Sequence, residues 1–157
     1  LNPVLKIETQ LIEPLMNHTN MTKAQARERA LELMRLVGIP SPEKRIKQYP
    51  FEFSGGMRQR IVIAIALTCN PRVIIADEPT TALDVTIQAQ VLELIDNLRK
   101  ETNAAVIMIT HDLGVVAKLC DKVCIMYGGK LVEKGSDKDI FYDPKHPYTK
   151  GLPVTQE

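Results

Sequence analysis

Two short, wholly apolar runs, Val73 to Ala76 and Ala104 to Ile109, stand on either side of a longer stretch with helical spacing. Continuous apolar runs of this length, bounded by breakers, are expected of strands covered on both faces. The first follows the breaker Asn70-Pro71, and the stretch between the runs opens at Asp84, a good N-cap, and extends to about Lys100. Strand, helix, strand in this order predicts an α/β core with a mainly parallel sheet.

The residues before that core read as helical. Val4 to Met16 carries apolar residues at mixed spacing and is interrupted late by Pro14. Thr22 with Gln25 three residues on forms a capping box. The following segment repeats Ala26, Ala30, Leu33, Met34 and Val37 on one face and charged residues on the others, an amphipathic helix that Gly38 and Pro40 stop. A Pro-containing connection leads to the aromatics Tyr49, Phe51 and Phe53. Arg58 to Cys69 then reads as a helix apolar nearly all round, hence buried. Beyond the second strand, Asp112 caps a short helix. Val123 to Tyr127 and Lys130 to Lys134, joined by Gly128-Gly129, predict a β-hairpin, and Ser136 with Asp139 opens a last helix before a Pro-rich, polar tail.

Composition narrows the function classes. With 45% apolar residues in 157, the chain can bury a core, which argues against disorder. A net charge of +1 leaves no excess of Lys and Arg to neutralise phosphates, so nucleic acid is not an expected partner. The longest apolar run, Ile61 to Leu67, is far short of the roughly 20 residues that span a bilayer. No leader pattern opens the sequence, and three cysteines, Cys69, Cys120 and Cys124, make no disulfide framework; a reduced cytoplasmic location is the expectation. Cys120 and Cys124 lack further ligands at metal spacing and read as small buried hydrophobes.

Three places carry chemistry. Ser54-Gly55-Gly56 lies at a helix start, where unpaired backbone N–H groups and the positive dipole end favour an anion, although an ordinary capped turn has the same composition. Asp77-Glu78 directly follows the first buried strand, at the end of the sheet where open α/β folds bind ligands. One acid can hold Mg²⁺ while the next polarises a water, or the two can be a plain acidic strand edge. His111 follows the second strand at the same end of the sheet and could donate to a phosphate oxygen, or be structural. An anion site, two acids and a histidine together point to phosphoryl-transfer chemistry.

The same residues resemble the back half of an ABC-type ATPase domain. Phe53-Ser54-Gly55-Gly56-Met57-Arg58-Gln59-Arg60 resembles the ABC signature loop, and Val73 to Pro79 the Walker B strand with its glutamate. Ala82-Leu83-Asp84 resembles the D-loop, and Thr110-His111-Asp112 the switch histidine region. Met57, the run Thr80 to Gln90, and His146 to Leu152 are similar to the oligopeptide and dipeptide importer ATPases, a group that includes nickel importers. The resemblance implies a partial P-loop NTPase (RecA-like) core with parallel strands over 70–157, preceded by a helical subdomain over 1–69 that ends in the signature-loop helix. It implies ATP and Mg²⁺ as cofactors, transmembrane permease subunits and a second ATPase subunit as partners, and a place on the inner face of the cell membrane. Ser54, Gly55 and Gly56 would contact the γ-phosphate of ATP held by the partner subunit. Asp77 would hold the Mg²⁺ shell, Glu78 act as general base, His111 contact the γ-phosphate, and Asp84 communicate across the dimer.

One departure stands out. No Gly-x-x-x-x-Gly-Lys-[Ser/Thr] occurs in the sequence; Gly129-Lys130 is followed by Leu131 and sits in the hairpin. The expectation is a C-terminal fragment of the energy-coupling subunit of a peptide importer, inactive alone, with a sheet left open and prone to intermolecular pairing. The alternatives are an ABC ATPase outside transport and a non-catalytic docking module.

Overall fold

The computed structural model describes residues 1–81 and 83–152, which fall into two compact units, Leu1–Ile107 and Met108–Glu157.

In the first unit, α1 (Ile7–His18) and α2 (Lys23–Leu36) pack against each other and against α4 (Gly55–Leu67). Helix α1 has no side-chain cap. Its first amides are satisfied from elsewhere in the chain, Ile7 donating to the Gln48 carbonyl (2.9 Å) and Glu8 to that of Ile46 (2.8 Å). It runs through Pro14 rather than stopping there. Ile7, Leu11 and Leu15 are fully buried on its inner side, and this burial outweighs the one hydrogen bond that proline removes.

The capping box of α2 is present as expected: Thr22 Oγ1 accepts from Gln25 N–H (3.3 Å), and Gln25 Oε1 accepts from Thr22 N–H (2.9 Å). Its predicted apolar face, Ala26, Ala30, Leu33, Met34 and Val37, is buried throughout. Gly38 ends the helix at φ +74°. Its N–H bonds the Arg35 carbonyl, and Ile39 N–H bonds that of Met34, both at 2.9 Å, with Ile39 itself buried. This is a Schellman ending, which needs a left-handed residue at that point.

The connection that follows contains α3 (Pro42–Arg45) and a 3₁₀ turn (Pro50–Glu52). Of the three aromatics, only Phe53 enters the core; Tyr49 and Phe51 stack on each other at 5.8 Å, and Phe51 stays 72% exposed. Helix α4 begins three residues before the sequence expectation. Nor is it buried all round. Ile61, Ala64 and Leu67 are buried, while Val62 is exposed and Ile63 and Ile65 are only partly covered, because α1, α2 and α5 (Val85–Thr102) cover one side.

Strands β1 (Val73–Asp77) and β2 (Ala105–Ile109) are neighbours in a two-stranded sheet, parallel and linked by α5. The α/β core is thus present. Burial on both faces is not: each strand alternates between half-covered and exposed residues, with Val73 50%, Ile75 66% and Ile107 53% exposed. The described residues place a helical layer on one face only, Ile74 packing into the core with α4 and α5.

In the second unit, α6 (Leu113–Leu119) precedes a hairpin of β3 (Lys122–Tyr127) and β4 (Lys130–Ser136), paired antiparallel with a bulge at Ile125/Met126. Gly128 (φ +56°) and Gly129 (φ +75°) make the two-residue turn, whose type demands positive φ at both positions. Ser136 and Asp139 form the expected capping box at α7 (Asp137–Tyr142). A further short helix, α8 (Pro147–Lys150), lies in what the sequence presented as a polar tail. Val116, Val123, Ile125 and Ile140 form this unit's own core. Cys124 is exposed and Cys120 half-covered, so they are not the buried pair expected: the side of β3 that packs into this core carries Val123 and Ile125, and Cys124 falls on the other.

Candidate functional site

Ser54 stands at the head of α4 in extended backbone, and its hydroxyl accepts from Met57 N–H at 3.3 Å. The Ser54 carbonyl already accepts from Arg58 N–H (2.9 Å), so the helix is under way by the second glycine. Arg58 Nη1 reaches back to the Phe53 carbonyl (3.0 Å), which fixes the chain entering the helix.

The two glycines have different reasons to be glycine. A Cβ on Gly56 would lie 2.6 Å from Ile87 Cγ2, on the first turn of α5. This glycine is a packing requirement, letting the start of α5 come against the start of α4. A Cβ on Gly55 would meet nothing nearer than Leu83 Cδ2 at 3.6 Å, ordinary contact. Ser54 and Gly55 are both exposed, so a ligand can approach their backbone amides.

Asp77 is the last residue of β1 and is exposed; Glu78 follows half-buried. Glu78 adopts φ +45°, a left-handed conformation costly to a residue with a Cβ, of the kind that surrounding structure must hold in place. The supports are visible. Glu78 Oε2 accepts from Thr81 Oγ1 (3.1 Å), and the Glu78 carbonyl accepts from Thr81 N–H (3.2 Å). Pro79 and Thr80 are buried beneath the turn, and the Thr80 carbonyl accepts from both Leu83 N–H (3.2 Å) and Gln88 Nε2 of α5 (3.2 Å). Asp84 Oδ1 accepts from Ile87 N–H (3.0 Å), capping α5 as expected. Ala82, part of the expected D-loop, lies outside the described residues.

The first unit therefore holds Ser54, Gly55, Gly56, Asp77, Glu78 and Asp84, with the α4 and α5 starts in contact through Gly56 and Ile87. The second unit holds His111, exposed between β2 and α6. The backbone on either side of it is pinned: Thr110 Oγ1 accepts from Asp112 N–H (3.1 Å), and Asp112 Oδ1 from Val115 N–H (3.2 Å).

These residues suit a nucleotide and a divalent cation. Ser54 and Gly55 are exposed at the helix start, where backbone amides favour an anion. Asp77 and Glu78 offer carboxylate oxygens at a strand end, and Mg²⁺ characteristically takes one or two carboxylates plus phosphate and water. Among the described residues no group of three or more His, Cys, Asp and Glu could hold a metal unaided, so such an ion needs ligands beyond these side chains.

Comparison with known families matches residues 2–81 to the ABC transporter family. This chain belongs to that family. As an ABC chain it is 61% identical over 152 residues to the dipeptide transport ATP-binding protein DppD of Bacillus subtilis (strain 168), covering 97% of this chain and 45% of that protein. The oligopeptide transport ATP-binding protein OppD of the same organism is 60% identical, with 97% and 42% covered. OppD of Escherichia coli (strain K12) is 56% identical, with 97% and 45% covered. The chain thus spans under half the length of these curated relatives. Among solved structures, the dimeric bacterial ABC transporter cassette MJ0796 superposes with a TM-score of 0.72 at 30% identity, over 87% of this chain and 58% of that one. The same cassette in a post-hydrolysis state bound to ADP and phosphate gives 0.73 at 29% identity, with the same coverage. The expected partial P-loop NTPase core accords with these neighbours.

Sequence reasoning missed the left-handed turn at Glu78 and the role of Gln88 in holding it. No residue type announces either: Glu is ordinarily right-handed or extended, and Gln88 resembles any polar residue on a helix.

Proposed function

We propose that this chain forms part of the energy-coupling ATPase subunit of a peptide-class ABC importer. The observation that carries the reading is the turn after β1. There a half-buried glutamate is held in strained backbone by Thr81 and, through Thr80, by Gln88, next to an exposed aspartate at the strand end. The peptide-transport names of the relatives supply the substrate class, small peptides.

In this reading ATP and Mg²⁺ supply the transferable phosphoryl group and its charge neutralisation. Asp77 holds the cation's shell, and Glu78 accepts the proton of the attacking water. The backbone at Ser54, Gly55 and Gly56 receives the terminal phosphate of a nucleotide bound mainly by the partner ATPase subunit, and His111 contacts a γ-phosphate. Asp84, at the head of α5, faces the dimer. The helical residues 1–69 dock on the permease subunits, and 70–157 are the back half of the ATPase core. This places the protein on the cytoplasmic side of a membrane, against its permease. No described helix is long and apolar enough to cross one. Nucleic acid has no role.

The decisive experiment uses a full-length subunit that carries these residues, assembled with its permease. Glu78→Gln is expected to keep ATP binding and lose hydrolysis by at least about 100-fold. Turnover within twofold of wild type would remove Glu78 from the role of base. A second expectation concerns the 157-residue chain alone. Lacking the P-loop lysine and its backbone cradle, it should give no measurable heat on titration with Mg-ATP. Tight binding there would mean that other residues provide the cradle.

A further inference from the structure

Arg60 is the half-buried last residue of the signature segment, in the second turn of α4, and its guanidinium spans three helices. Nη1 donates to the Val37 carbonyl at the C-cap of α2 (2.8 Å), and Nη2 donates to Gln90 Oε1 of α5 at 3.4 Å. The space it uses depends on the Schellman ending of α2: a Cβ on Gly38 would lie 2.7 Å from Arg60 Nη1. Gly38 is called for by its positive φ, with the guanidinium lying beside it.

We infer that Arg60 is a positioning residue that locks α5 to α2 and α4, and thereby holds the turn bearing Glu78 in register with the Ser54-Gly55-Gly56 helix start. The path is continuous. Arg60 holds Gln90 on the second turn of α5; two residues nearer the N-terminus on the same helix, Gln88 holds the Thr80 carbonyl; and Thr80 lies in the turn whose Thr81 bonds the Glu78 carboxylate. On the other side, Ile87 fills the space left by Gly56. A planar five-donor fork suits this task because two arms reach different helices from one rigid group, which the single ammonium of lysine cannot do. The catalytic part of this inference rests on the reading of Glu78 given above; the mechanical part does not.

The test is a pair of spin-label distances in the present chain, with Cys69, Cys120 and Cys124 replaced by Ser. Labels at Leu36→Cys and Glu93→Cys report α2 to α5, and labels at Leu36→Cys and Val62→Cys report α2 to α4. Arg60→Ala is expected to broaden both distributions. Arg60→Lys and Gln90→Ala should keep the α2–α4 peak narrow and broaden only α2–α5. Unchanged widths in Arg60→Ala would overturn the inference. Should Arg60→Ala lose its helical circular dichroism, the two milder variants decide, and an unchanged α2–α5 width in both overturns it. In a full-length subunit, Gln90→Ala should lower kcat about tenfold with KM for ATP unchanged. An unchanged kcat beside a broadened α2–α5 distance overturns the link to the site. If the wild-type subunit turns over no ATP, it is the functional reading that fails, and the distances still judge Arg60.

Discussion

At Gly56 the exchange of one hydrogen for a methyl group separates a tolerated contact from a clash. The Cβ of alanine would sit 2.6 Å from Ile87 Cγ2, and both residues are on helices with little freedom to retreat. Gly56→Ala is therefore expected to destabilise the chain by about 1–3 kcal/mol, the usual range for overpacking. Urea denaturation measures it. Ile87→Ala removes the opposing methyl, so the double variant should cost clearly less than the sum of the two singles; strict additivity would show that the contact is not what glycine serves. The sequence marked Gly56 as a candidate site residue and did not show its packing role, since a close approach between helices distant in sequence cannot be read from local spacing. Glu78 was legible as an acid at a strand end. Its left-handed backbone was not, because that conformation is imposed by the buried Pro79 and Thr80 below it and by Gln88 from α5.

Among the elements, what was legible was local. Thr22, Ser54, Asp84, Asp112 and Ser136 all cap the helices assigned to them, because a cap is an interaction over three residues. Burial was not legible, since it depends on what else packs there: α4 and the two strands of the first unit have the apolar composition of buried elements and are covered on one side only. Helix α8 escaped notice because its anchor is not local. Glu133, on β4, accepts the Lys145 (2.7 Å) and His146 (3.1 Å) amides just ahead of it, while Lys145 also pairs with Asp143. The Thr149 hydroxyl, with the Lys145 and His146 amides, holds the Glu133 carboxyl below its ordinary value. That hydroxyl is buried without a partner in good hydrogen-bond geometry, so the two amides are the firmer bonds. Because the folded value lies below the unfolded one, Glu133 stabilises the fold fully above its ordinary value of 4.5, and the contribution is lost as pH falls through the folded value. Glu133→Gln should flatten the decline of melting temperature below that pH and leave the curve above pH 7 parallel to wild type. An acid limb as steep as wild type would show that the carboxylate does not anchor α8.

For the whole molecule, the described strands form two separate two-stranded sheets. Strands β1 and β2 pair with each other, β3 and β4 with each other, and no described strand joins β2 to β3. The alternation along β1 turns Ile74 to the core and Val73 and Ile75 away from it; with Ile107 on β2, these make an apolar face at least half exposed at each position. Such a face on a chain of net charge +1 meets little electrostatic resistance to self-contact, and an open strand edge beside it can accept another strand. The chain is therefore expected to associate with copies of itself, burying this face, with a mass above the monomer that rises with concentration in sedimentation or light scattering. Ile75→Lys with Ile107→Lys places two positive charges on that face and should return the chain to a monomer with unchanged circular dichroism, because neither side chain is in the core. A wild-type chain that stays monomeric at high concentration would sink the idea. A double variant that still associates would move the contact to another surface, with the exposed Phe51, stacked on Tyr49, the next to substitute.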